Sequence, residues 1–233
     1  MTLRHLLIPP VLLAALAAGA EKSNTPANAV AASYTATTAN VSGAPGNIRV
    51  EILRWSTPEE RTKLRDAWDL KTADTGRGRR GGAGRGAAAG GRGGRGATEG
   101  ETAASGPAPE AMLAKALKQA TTVGYLWSSE IAGYAIRYAE QTQNPDGSSK
   151  IILLTDRRLG AVNDLWKPAG GDALPYDFSL IEIRRKPNGD GEGKTSLTGK
   201  VVPENTLKIV ALENYDSLPV EFVRVHRTQS GGR

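Results

Sequence analysis

From residue 123 to residue 226 the chain is a run of short strand-like segments, all but one pair of them spaced too closely for a crossover helix between them. They fall at 123–127, 133–142, 150–155, 176–185, 195–202, 207–213 and 220–226. Turn chemistry separates them at Asn144-Pro145-Asp146-Gly147, across 167–175, and at Pro187-Asn188-Gly189-Asp190-Gly191. Parallel neighbours need a connection of about a dozen residues or more, usually a helix. These spacings therefore point to antiparallel hairpins and meanders. Two further candidates lie upstream. Residues 30–41 are Thr- and Ala-rich, and 47–54 alternate Ile48, Val50 and Ile52 with Arg49 and Glu51, the period of a half-buried strand. The expected fold class is mainly β (α+β), an antiparallel barrel or sandwich of about nine strands with a two-helix insertion.

The insertion is signalled by Thr57-Pro58-Glu59-Glu60: a capping hydroxyl, proline at the first helical position, and a glutamate placed to close a capping box. Leu64, Ala67 and Trp68 then share one face, and this helix is expected to run to about Lys71. A second amphipathic helix is expected over 109–120, with Met112, Leu113, Ala116 and Leu117 on its apolar side. Between them, 76–96 reads GRGRRGGAGRGAAAGGRGGRG. Ordering so many glycines costs more backbone entropy than alanine burial returns, so 72–107 is expected to be a disordered linker. The expected organisation is a single domain over 29–227 interrupted by that linker, with flexible segments at 21–28 and 228–233.

The N-terminus reads as a secretory signal: Arg4 and His5, an apolar run from Leu6 to Ala18, then Ala18-Gly19-Ala20 as a small-residue cleavage site. The expectation is export to the periplasm or beyond, with no membrane span after cleavage at Ala20. The apolar run is shorter than the ~20 residues a span needs, and Pro9-Pro10 interrupts it. The chain contains no cysteine, which excludes disulfides, thiol nucleophiles and thiolate metal sites. Its net charge of +6 is localised. Removing Arg4 and the six tract arginines from the 30 Lys+Arg leaves 23 against 24 Asp+Glu. The folded part is thus nearly neutral, and its high isoelectric point is no evidence for a basic face.

The segments VEILRWSTPEER (50–61), FSLIEIRRKPNGDGEGKTSL (178–197) and LENYDSLPVEFVRV (212–225) resemble a family of exported bacterial β-rich proteins with no established activity. The resemblance implies one exported β-rich domain with a variable linker, and it carries over no functional residues.

Candidate chemistry is sparse. The tract arginines Arg77, Arg79, Arg80, Arg85, Arg92 and Arg95 could contact a polyanion. The tract lacks the aromatic residues that accompany RNA-binding segments of this type. With export expected, an anionic envelope polymer or a small ligand fits better than nucleic acid. Gly189 to Thr195 fails as a phosphate loop, because its glycine spacing is short and Asp190 and Glu192 would repel phosphate. Asn188, Asp190 and Glu192 alternate as oxygen donors, which suits either a polar hairpin turn or calcium; no cofactor is expected, and calcium is the one the sequence admits. His226, at a strand end, lacks the partners of a zinc site or a nucleophile elbow. Carboxylate chemistry stays open. Glu182 is in phase with Phe178 and Leu180, Glu140 with Ile136 and Tyr138, and Asp156 with Arg157 closes the segment before it. Two carboxyl groups facing across a pocket would suit glycoside hydrolysis, whereas pairing of Glu182 with Arg137 or Arg184 would make it structural. Trp166, in the loop 163–175, together with Arg157 and Arg137 are the ligand-contact candidates. The expected function is a non-enzymatic ligand- or partner-binding module acting through a barrel mouth or loops. A carboxylate hydrolase and polyanion capture by the tract are the alternatives.

Overall fold

The strand pattern closes on itself. The computed structural model describes residues 30–77, 108–128, 133–161, 166–204 and 210–228, excepting side chains of 70–77. The expected signal 1–20, the segment 21–28, the tract from residue 78 through 107 and the residues from 229 lie outside the described residues. In chain order come β1 (Ala32–Thr38), β2 (Val41–Ser42), β3 (Asn47–Ile52), α1 (Pro58–Arg77) and α2 (Pro109–Gln119). Then follow β4 (Gly124–Trp127), β5 (Gly133–Gln143), β6 (Ser149–Thr155), β7 (Lys167–Pro168) and β8 (Leu180–Arg185). The chain continues with β9 (Gly191–Thr195), β10 (Val201–Pro203), β11 (Val210–Leu212), a 3-10 turn (Tyr215–Ser217) and β12 (Phe222–Thr228).

Eight strands form a closed antiparallel barrel in the order β1-β12-β9-β8-β6-β5-β4-β3. The choice between barrel and sandwich is settled by β12, which returns to pair with β1. Ile48, Val50 and Ile52 of β3 point inward with Ile151 and Leu153 of β6 and Ile181 and Ile183 of β8, all buried. A barrel of this strand number has an interior just wide enough for side chains to fill. Each such aliphatic side chain contributes about 1.5–3 kcal/mol by leaving water. Trp166 closes one end, meeting Tyr134 and Phe222 edge-on at centroid distances of 6.4 Å. It fits because residue 160 is glycine: a Cβ there would lie 2.6 Å from the Trp166 Cβ, and φ is +77°.

A second core lies outside the wall. Tyr138, Ile152, Leu154 and Leu180 on the outer faces of β5, β6 and β8 are covered by Leu64 and Trp68 of α1 and by Leu113 and Leu117 of α2. Val210, Leu212 and Tyr215, from β11 and the 3-10 turn, extend the cover. Burial on both faces explains why the sequence there is continuously apolar instead of alternating. The capping box forms as expected. Thr57 Oγ1 accepts from the Glu60 N–H at 3.3 Å, and Glu60 Oε2 accepts from the Thr57 N–H at 3.0 Å.

Three expectations need correction. Helix α1 runs to Arg77 instead of ending near Lys71, because neither glycine nor proline interrupts its ladder before Gly76. The strand expected over 195–202 is two strands, β9 and β10, split by the turn at 196–199. Gly193 lies within β9, where Phe222 packs on it: a Cβ would come within 3.1 Å of Phe222. Finally, β5 carries a bulge at Arg137, between the pairs Ile136–Thr155 and Tyr138–Leu154. The extra residue puts Ile136 inside the barrel and Tyr138 outside, so the two do not share a face.

Candidate functional site

Opposite the covered wall, the outer faces of β12, β1, β3 and β4 are exposed among the described residues. Alternation sets Thr35 and Thr37 of β1 and Asn47 and Arg49 of β3 outward. Regular alternation on β12 would send Arg224 inward with Phe222. It does not, because Thr35 pairs with His226 and Thr37 with Val223, leaving Ala36 opposite both Arg224 and Val225. Arg224 takes up the bulge in the left-handed region, φ 54°. Val225 then turns into the core, and Arg224 and His226 face out together. A non-glycine residue in that region costs about 1–2 kcal/mol. Bulges of this kind re-aim side chains next to functional sites.

These residues line a groove of about 550 Å³, with Trp127 and Ser128 at its far side. Trp127 is fixed: its Nε1–H donates to Glu51 Oε2 at 3.1 Å, and its ring lies against Gly133, where a Cβ would approach within 2.9 Å. Arg49 Nε sits 3.2 Å from Glu51 Oε1, with its guanidinium carbon 5.9 Å from the Trp127 ring centre. His226 Nδ1 is 3.8 Å from Asp190 Oδ1. The Arg224 side chain makes no ion pair or hydrogen bond among the described residues. Two guanidinium groups, an imidazole and threonine hydroxyls around one groove suit an anion, which arginine binds through paired N–H groups.

The carboxylates singled out in the sequence are placed elsewhere and apart. Glu182 shares a face with Leu180 as expected, but that face is the outer one, beneath β11. It is fully buried, accepts from Arg184 Nε at 3.0 Å and from the Leu212 N–H at 3.4 Å, and lies 3.7 Å from Lys150 Nζ. Glu140 accepts from the Tyr138 hydroxyl at 2.6 Å and pairs with Arg61 at 2.9 Å, pinning β5 to α1. Burial, then the bond to Glu140, pushes the Tyr138 hydroxyl above its ordinary range. The register aligns Glu140 with Ile152 and Ile152 with Glu182. The two glutamates thus stand about 10 Å apart across the sheet, with the buried Ile152 between them.

Asp156 pairs with Arg137 at 3.3 Å, and Arg137 also donates to the Ala120 carbonyl and Thr122 Oγ1, tying the bulge to the end of α2. Arg157 lies over the Tyr134 ring at 5.0 Å and donates to the Gly133 carbonyl. Trp166 is core, with one edge on a smaller cavity of about 370 Å³ bounded by Lys167 and Asp172. Asn188 and Asp190 bond each other in a hairpin turn, at 2.9 and 3.0 Å, while Glu192 sits on β9 opposite Arg184. The three do not converge, and no metal-ligand cluster occurs among the described residues. Of the tract arginines, Arg77 is the last residue of α1, and Arg79, Arg80, Arg85, Arg92 and Arg95 lie outside the described residues. The groove itself was missed from sequence. Its one signal was Arg224, a charged residue on what regular alternation makes the core face. Comparison with protein-family models, with curated proteins and with solved structures finds no match to this chain.

Proposed function

We propose that this chain is an exported, non-enzymatic binding module, and that the groove on the exposed barrel wall takes an anionic glycan. The observation that carries the reading is Arg224, held in a costly backbone conformation at the groove with its guanidinium unpaired among the described residues. The filled interior supports it, since apolar side chains occupy the space a lumenal ligand would need. The groove's composition favours a sugar acid over a bare ion. Thr35, Thr37 and Asn47 supply neutral donors and acceptors for hydroxyls beside the two arginines that would take carboxylates.

Calorimetric titration with polygalacturonate, with dextran of matched length as the neutral control, tests this. The wild type should bind the first and not the second. Two charge-assisted hydrogen bonds are worth about 1.5–3 kcal/mol each, so Arg49→Ala/Arg224→Ala should weaken binding about a hundredfold or more. Deleting 76–96 should leave affinity within about twofold once ionic strength is physiological. Loss on deletion with retention in the double variant would move the site to the Gly/Arg tract. Equal binding of single-stranded DNA would replace the glycan with a nucleic acid.

A further inference from the structure

The barrel has its shortest backbone pairing where β9 meets β12. That pair shares one register position, Phe222 opposite Gly193, whereas every other neighbouring pair of barrel strands shares at least four. Glu221 sits at this junction. Its N–H donates to the Gly193 carbonyl at 3.0 Å, and its carbonyl accepts from the Ala39 N–H at 2.8 Å. Its backbone therefore joins the edge of β9 to the end of β1. Its side chain is fully buried. Oε1 accepts from Thr198 Oγ1 at 3.0 Å, and Oε2 has no hydrogen-bond partner among the described residues.

No cation answers this carboxyl. Thr195 and Thr198, the groups that interact with it from β9 and the 196–199 turn, are neutral, and Ala39 and Asn40 from the β1 side carry no charge. No charged side chain among the described residues contributes to its titration. A buried carboxylate without a countercharge is unfavourable, and the protonated acid is the form this site accommodates. We propose that the β9–β12 seam is a proton-controlled latch, closed while Glu221 is protonated and loosened when Glu221 ionises. This inference does not depend on the groove having a ligand. It does bear on the groove's shape, because β12 carries Arg224 and His226.

Burial pushes the Glu221 carboxyl up from its ordinary 4.5 to about 7, with Thr195 and Thr198 pulling it partly back. The closed seam thus holds its proton through a pH range where the opened seam has released it. Stability of the seam is full below the ordinary value and falls as pH rises through the buried one. Between pH 5.5 and 8.5 this linkage enlarges the opening equilibrium about 30-fold. Native-state hydrogen exchange of the Glu221 and Ala39 amides, corrected for intrinsic rates, should show that loss of protection in the wild type. Glu221→Gln, which cannot ionise, should show no such pH dependence. Identical pH dependence in both proteins would overturn the latch. If the glutamine variant does not fold, carboxyl carbon-13 titration of the wild type decides. A Glu221 midpoint near 7 supports the latch, and one at an ordinary carboxylate value removes it.

Discussion

Replacing Arg224 by glycine should make the protein more stable and worse at binding. At φ 54° the arginine Cβ is crowded by its own backbone, a cost of about 1–2 kcal/mol that glycine does not incur. Against this, glycine loosens the unfolded chain, which takes back about 0.4–1 kcal/mol. Among the described residues the guanidinium has no partner whose loss would add a penalty. The net gain is about 0.5–1 kcal/mol, or ~1–4 °C in melting temperature for a domain of this size. Arg224→Ala is the control. It removes the same guanidinium but keeps the Cβ, so its stability should stay within about 0.5 kcal/mol of wild type. Both variants should lose polygalacturonate affinity alike. Urea denaturation followed by tryptophan fluorescence gives the stabilities, and calorimetry gives the affinities. If alanine and glycine are equally stable, the left-handed bulge is not strained. If both bind like wild type, the bulge does not serve the groove.

Other perturbations separate scaffold from site. Glu182→Gln should destabilise by about 2–3 kcal/mol, because the buried carboxylate holds Arg184 and Lys150 under β11. The figure is reduced because Arg184 is 41% exposed. Polyanion affinity should not change, and a loss below about 0.5 kcal/mol in urea would deny the ion cluster a structural role. Trp166→Ala should cost about 3–5 kcal/mol by opening one end of the core. A cost near zero would mean that the plug is not packed. Thr57→Ala should remove about 1 kcal/mol by breaking the cap of α1, which thermal unfolding can read.

The elements that announce themselves locally are the ones sequence reasoning finds. The Ile48-Val50-Ile52 alternation, the Thr57–Glu60 capping box and the Asn144–Gly147 turn each state their structure within a few residues. Closure of the barrel does not, since it depends on β12 finding β1 across nearly the whole chain. The faces of Glu140 and Glu182 depended on information that strand periodicity does not contain. For Glu140 the phase breaks at a one-residue bulge. For Glu182 the phase with Leu180 holds but the face is the outer one, where cover by β11 and the 3-10 turn makes an outer surface as dry as an inner one. The same blindness to bulges hid Arg224. A charged residue at an inward phase, beside the β-branched Val223 and Val225, is the mark by which such a bulge can be suspected.

The central claim is that the exposed wall of a filled barrel, and not its lumen, its ends or the Gly/Arg tract, meets an anionic ligand. Two-dimensional NMR of the full chain titrated with a polygalacturonate oligomer tests it residue by residue. The backbone amides of Thr35, Thr37, Arg49 and Arg224 and the Trp127 indole N–H should shift together and saturate at one concentration. Shifts confined to Trp166 and its neighbours at the barrel end, or to the arginines of 76–96, would contradict the account.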